Sequence, residues 1–223
     1  MLLKSFLPVC AIGLIAVLPQ MTLAQSSGTQ SSETSSDEFV MAGADQRVSV
    51  PVGTETPVIA LTYVGGFIDS EDRIRTRVFV EGDADARRYV LELYRPAYMK
   101  DAGTFRTDLT EAEFNRLLRS FGDENVLAVQ QEELLDSVRA EVAARGPGLV
   151  LDDTHDARVE IEFRLAGETA AGGMLAPDLR SLAVPTSALE VAARAQPSAL
   201  RNVASGVLEI EGLLRLKTLV RVQ

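Results

Sequence analysis

The densest group of ligand-type side chains in the chain is Asp152, Asp153, His155 and Asp156, and it includes the only histidine. Carboxylate oxygens with one imidazole make a donor set that suits a divalent cation. The spacing does not support a built metal loop. A helix–loop–helix calcium site needs glycine at its sixth position and glutamate at its twelfth, and neither is in place. Zinc would need carboxylates for every ligand but one. The group therefore reads first as a polar turn leading into a strand, with divalent-cation binding as the alternative.

Other catalytic sets find little support. A serine nucleophile needs a base beside it. His155 is the only imidazole, and no serine lies in a Gly-x-Ser-x-Gly turn. The only cysteine, Cys10, sits in the leader described below. Two carboxylates could converge in the fold to give a hydrolase, although the absence of tryptophan argues against a sugar cleft. Gly65-Gly66 and Gly172-Gly173 lack the further glycine or lysine of a phosphate loop and read as turns. No catalytic residue is assigned, and no cofactor is expected.

The elements around the acidic group are more informative. Directly after it, Val159, Ile161, Phe163 and Leu165 alternate with Arg158, Glu160, Glu162 and Arg164. This period of two predicts a strand with one face buried and one charged face in water. Pro57–Phe67 is apolar on both faces and predicts a central strand, ended by Gly65-Gly66. Arg47–Val50 predicts a short edge strand. Arg75–Glu81 and Arg88–Arg95 predict a hairpin joined by a short polar turn. Thr110 and Glu113 match a capping box. Phe114, Leu117, Leu118 and Phe121 follow as one helical stripe, and Gly122 is the stop. A second helix is expected over about 130–145, buried through Leu134, Leu135, Val138 and Val142 and broken by Gly146-Pro147-Gly148. Gly167–Pro177 reads as a loop, and Ser187–Ala195 as a short helix. Leu200, Val203, Val207, Ile210 and Leu214 predict a last helix. Gly206 and Gly212 each count against it by about 1 kcal/mol. The tail 213–222 fits helix or strand.

Strands cluster early and show no regular βαβ alternation. The expected class is α+β, a mainly antiparallel sheet with helices packed on one face.

The N-terminus predicts where the chain is sent. Lys4, the apolar run Phe6–Leu18 and the small residues before Gln25 match a secretory leader cleaved after Ala24. Residues 25–38 are rich in Ser and Thr and read as a disordered linker, leaving 39–223 as one α+β domain. Losing Lys4 takes the net charge from −10 to −11. That balance gives no electrostatic reason to bind nucleic acid or an anionic membrane. A periplasmic or secreted location follows, with no membrane attachment after cleavage and an oligomeric state that the sequence leaves open.

The order of segments also resembles a known group. A strand ends in Gly65-Gly66-Phe67, Leu109-Thr110-Glu111-Ala112-Glu113 opens a helix with Leu117-Leu118, an Asp-rich turn leads into Val159-Glu160-Ile161-Glu162-Phe163, and Pro197-x-x-Leu200 starts a last helix. This layout is similar to the emfourin-like group, which includes inhibitors of the thermolysin-like metalloprotease protealysin, and to larger secreted bacterial relatives. The resemblance implies an α+β fold without a catalytic site, and protease inhibition. The chain differs from the group in its extra hairpin, Arg75–Arg95, its extra helix before Gly146, and Gly167–Met174 in place of the strand expected after Phe163. The functional expectation is a non-enzymatic domain that binds another protein. The alternatives are the hydrolase and the divalent-metal-dependent binder.

Overall fold

The computed structural model describes residues 37–41, 47–65, 72–83, 85–145, 157–168, 174–175 and 179–222. All of them fall in one compact unit, Ser35–Gln223. The expected leader, most of the expected linker and the acidic group Asp152–Asp156 lie outside the described residues, as does the expected break at Gly146-Pro147-Gly148.

In chain order the strands are β1 (Asp37–Met41), β2 (Arg47–Pro51), β3 (Ile59–Val64), β4 (Ile74–Glu81), β5 (Arg88–Arg95) and β6 (Gly103–Leu109). Helices α1 (Glu111–Phe121), α2 (Glu124–Ala128) and α3 (Gln131–Ala144) come next. Then follow β7 (Arg158–Phe163), β8 (Ala166–Glu168), β9 (Met174–Leu175) and β10 (Arg180–Pro185). A 3₁₀ turn at Thr186–Ala188, α4 (Leu189–Ala192), α5 (Ala199–Leu216) and β11 (Val220–Arg221) complete the chain. The larger sheet has seven strands in the order β10-β7-β3-β4-β5-β6-β11, and every neighbouring pair is antiparallel. A second, four-stranded sheet runs β1-β2-β8-β9. The molecule is thus α+β with a mainly antiparallel sheet, as the order of elements predicts.

The period-two pattern decides which side of the large sheet meets the helices. Ile59 and Leu61, Val78 and Val80, Val159, Ile161 and Phe163 share one face and join the core with Phe114, Leu117, Leu118 and Phe121 of α1 and Val203, Val207 and Ile210 of α5. Burying each such side chain contributes about 1.5–3 kcal/mol. Two aromatic contacts pin α1 to this face. Tyr89 stacks on Phe114, with centroids 4.3 Å apart, and Phe121 lies tilted against Phe163 at 6.1 Å.

The start of α1 forms the expected capping box. The Thr110 amide donates to Glu113 Oε2 at 2.7 Å, and the Glu113 amide donates back to Thr110 Oγ1 at 3.3 Å. Lys217, just past α5, holds the same carboxylate at 2.7 Å and donates to the Asp108 carbonyl at 2.9 Å. Burial alone would raise the Glu113 carboxyl, but the hydrogen bonds from Lys217 and Thr110 outweigh it and hold it below its usual range. One ammonium thereby ties the end of β6, the start of α1 and the end of α5 together.

Several expectations are corrected by the tertiary pairing. The segment Arg47–Pro51 is not an edge: it lies between β1 and β8, with Val48 and Val50 buried. Strand structure begins at Asp37, two residues inside the expected linker. Gly167–Pro177 is not all loop, because it contains parts of β8 and β9. A strand does follow Phe163 in the large sheet: β10 pairs with β7 from Arg180↔Phe163 to Pro185↔Arg158. Leu135 is half-buried, while Leu134, Val138 and Val142 are buried. The tail divides, with helix to Leu216 and then a two-residue strand against Phe105 and Arg106.

The two edges of the large sheet are closed differently. On β10, the Ala183 amide donates to Gln131 Oε1 at 2.7 Å, and Gln131 Nε2 donates to the Ala183 carbonyl at 3.0 Å. At Ala183 a side-chain amide thus takes the place of a further strand and satisfies that residue's outward backbone groups. On β6, the short β11, the Val222 amide, which donates to the Thr104 carbonyl, and the Lys217 ammonium, which donates to the Asp108 carbonyl, provide cover.

The two glycines of α5 serve different purposes. A Cβ on Gly206 would lie 2.6 Å from Phe121 ring carbons, whereas one on Gly212 would meet nothing within 4 Å. We expect Gly212→Ala to stabilise the protein by about 0.5–1 kcal/mol through helix propensity. Gly206→Ala should destabilise it by about 1–3 kcal/mol, because the buried ring cannot move aside. Urea denaturation of the two variants checks this, and the same sign for both would refute the close-approach account.

Candidate interaction surface on the outer sheet face

The side chains between the core-facing ones point away from the helices. Register places Arg75, Arg77, Phe79 and Glu81 of β4 opposite Tyr94, Glu92, Val90 and Arg88 of β5. Glu92 and Val90 stand opposite Arg106 and Asp108 of β6. On the other side, Thr62 and Ala60 of β3 lie between β4 and the Glu160 and Glu162 of β7. The charged face expected for Arg158–Arg164 is therefore one column of a wider lattice.

Arg106 is its centre. Nε donates to Glu92 Oε2 at 2.9 Å, and Nη1 donates to Glu81 Oε1 at 3.1 Å. The guanidinium carbon lies 5.7 Å from the Phe79 ring centroid. Phe79 and Val90 point outward yet are almost fully buried, as expected where arginine stems lie over apolar residues. Glu92 is 8% exposed. On its other side Arg77 Nη1 stands 3.7 Å from Oε1. Toward the rims, Arg88 meets Asp108 at 2.8 Å and Arg158 meets Glu160 at 2.8 Å. The hydrogen bond to Asp108, then that carboxylate's charge, raises the Arg88 guanidinium further.

Arginines outnumber carboxylates on this face. Arg73, Arg75, Arg77, Arg88, Arg106, Arg158 and Arg164 stand with Glu81, Glu92, Glu160, Glu162 and Asp108. The face is opposite in sign to the chain as a whole, whose net charge is −10. The sequence contains a signal for it that the strand reading passes over: Arg73-Ile74-Arg75-Thr76-Arg77 alternates arginine with residues bound for the core side.

The catalytic reading finds less in the geometry. Glu81 and Glu92 do converge, but on Arg106, which engages both. Tyr63 donates to Glu211 Oε1 at 3.3 Å. Burial, and then the Glu211 charge, push its phenol above the usual range, so it stays protonated at neutral pH. Among the described residues no group of three or more His, Cys, Asp or Glu side chains is placed to hold a metal ion. Asp152, Asp153, His155 and Asp156 lie outside the described residues. Two surface grooves are lined by committed groups. One of about 510 Å³ includes Asp123 and Glu133, which accept from the Asn125 and Gln130 amides at helix starts. The other, about 570 Å³, includes the Arg88–Asp108 pair. Among the described residues no helix is long and apolar enough to cross a membrane.

Fold and face together define a class: an α+β protein whose antiparallel sheet buries one side under helices and presents an arginine-rich ionic lattice on the other. No protein-family model matches the chain, and no curated protein or solved structure is significantly similar to it.

Proposed function

We propose that the chain is a non-enzymatic protein-binding domain that acts in the periplasm or outside the cell. The observation that carries this reading is the outer sheet face. It is a broad surface backed by a packed core, its central carboxylates Glu81 and Glu92 are held in place by Arg106, and its sign is opposite to that of the chain. Preorganised charge of this kind favours a partner of complementary charge and speeds encounter with it. The emfourin-like layout suggests protease inhibition as the form such binding takes.

The test is capture with the chain beginning at Gln25, immobilised and exposed to periplasmic extract at physiological salt. A partner retained in stoichiometric amount is the expected result. Extracts that yield no such partner would overturn the reading. A titration against a thermolysin-like metalloprotease addresses inhibition separately: activity should fall linearly to an equivalence point.

A further inference from the structure

Within the lattice, one column differs from the rest. Arg75 and Arg77 lie at alternate positions of β4, and Arg73 stands at the bend that leads into it. Their carboxylate contacts are loose where they exist. Arg73 reaches across β3 to Glu160 at 3.7 Å, and Arg77 stands 3.7 Å from Glu92, both outside hydrogen-bond range. Arg75 rests on the Tyr94 ring, 4.8 Å from its centroid. The Nε atoms of Arg73 and Arg75 are shielded from solvent and have no hydrogen-bond partner. Arg106, by contrast, is saturated by two carboxylates at short range. Guanidinium groups normally take planar, bidentate carboxylate partners, and among the described residues these three have none.

We infer that Arg73, Arg75 and Arg77 form the docking ladder for an extended acidic segment of a partner protein. This rests on the protein-binding reading above and specifies its chemistry. Residues two apart on an extended strand are about 6.8 Å apart, and a second extended chain repeats its side chains at the same interval. A segment with carboxylates at alternate positions can therefore meet Arg75 and Arg77 together, with Arg73 beside them at the start of the strand. The adjoining strand leaves room for it, because Ala60 and Thr62 of β3 are small and half-buried. Beyond them stand Glu160 and Glu162, the latter exposed. A ligand lying over β3 must be acidic toward β4 and uncharged or basic toward β7. A peptide strand meets that condition because its two sides carry different residues. A nucleic-acid strand, charged along its whole backbone, would meet the Glu160 and Glu162 carboxylates.

The test is fluorescence anisotropy with three labelled probes. These are a short peptide alternating aspartate with serine, a peptide of the same composition with its aspartates in one block, and a single-stranded oligonucleotide. The alternating peptide should bind, more weakly as salt rises. Arg75→Gln with Arg77→Gln should weaken it by at least about tenfold, the loss expected for a hydrogen bond between charged groups. Arg201→Gln, an exposed change on α5 and so away from the outer sheet face, should leave it unchanged. Arg77→Gln alone replaces a side chain that is 41% accessible and keeps the test available should the double variant misfold. Equal binding of the blocked peptide, tighter binding of the oligonucleotide, or indifference to the ladder variants would overturn the assignment. So would a self-association, seen by sedimentation, that the ladder variants abolish. If capture from extract succeeds while the alternating peptide fails, the ladder falls and the protein-binding reading stands. If the peptide follows the arginines but capture yields nothing, the ladder stands and that reading falls.

Discussion

Replacing Phe121 with alanine is expected to remove about 3–5 kcal/mol of stability and to lower the melting temperature by about 6–20 °C. The ring is 0% exposed and closes the C-terminal end of α1. On one side it meets Phe163 at the end of β7. On the other it fills the space left by Gly206 of α5. Three separate elements converge on a single side chain, so the cavity left by truncation cannot be closed by one of them moving. Phe121→Leu should cost markedly less, because a branched aliphatic side chain still fills part of the volume. Adding Gly206→Ala to Phe121→Leu should be better tolerated than Gly206→Ala alone, since the new methyl then has somewhere to go. Urea unfolding measures all three. A loss below about 1 kcal/mol for Phe121→Ala would show that the site collapses, contrary to this account.

The second large effect is expected at Arg106. Its guanidinium serves Glu92 and Glu81, whose side chains are only 11% and 13% accessible. Arg106→Ala leaves two carboxylates poorly solvated and without their main partner, and it uncovers Phe79. A fully buried pair broken this way costs about 3–5 kcal/mol. Arg106 itself is 34% accessible, so water will compensate in part, and about 2 kcal/mol is the expected loss. Arg106→Met separates the two contributions by keeping an apolar cover over Phe79. Pairing Arg106→Met with Glu92→Gln in a double-mutant cycle should recover part of the loss, because the unpaired charge is then gone. Full additivity of the two single changes would show that the Arg106–Glu92 contact adds no stability.

How much could be read in advance differs from element to element. The alternation Val159–Leu165, the box Thr110/Glu113 and the three-four spacing of Leu200, Val203, Val207 and Ile210 are local patterns, and each became the expected element. The missed strands lack such a pattern. In β6, Phe105 and Leu109 are separated on the same face by Thr107, so the segment is a strand largely because β5 offers it a partner. In β10, Leu182 and Val184 do alternate, but over too short a run to stand out from the preceding Gly- and Ala-rich segment. With two residues, β11 has no periodicity at all. The arginine ladder was written in the sequence as Arg73-x-Arg75-x-Arg77. It gains meaning only when Tyr94, Glu92 and Glu160 are placed around it.

By itself, the sequence determined the α+β class, the buried faces of the main helices and strands, the cap of α1 and the charged outward side of the Arg158–Leu165 strand. Each of these follows from side-chain periodicity or from hydrogen bonds between near neighbours in the chain, and so needs no knowledge of distant partners. The tertiary structure alone decided that Arg47–Pro51 lies inside a second sheet, that Gln131 seals the β10 edge, that Gly206 receives the Phe121 ring, and that Arg106 saturates two carboxylates while Arg73, Arg75 and Arg77 stay loosely paired. These depend on contacts between residues far apart in the chain, and their geometry is set only when the sheet registers and the helices settle on its inner face.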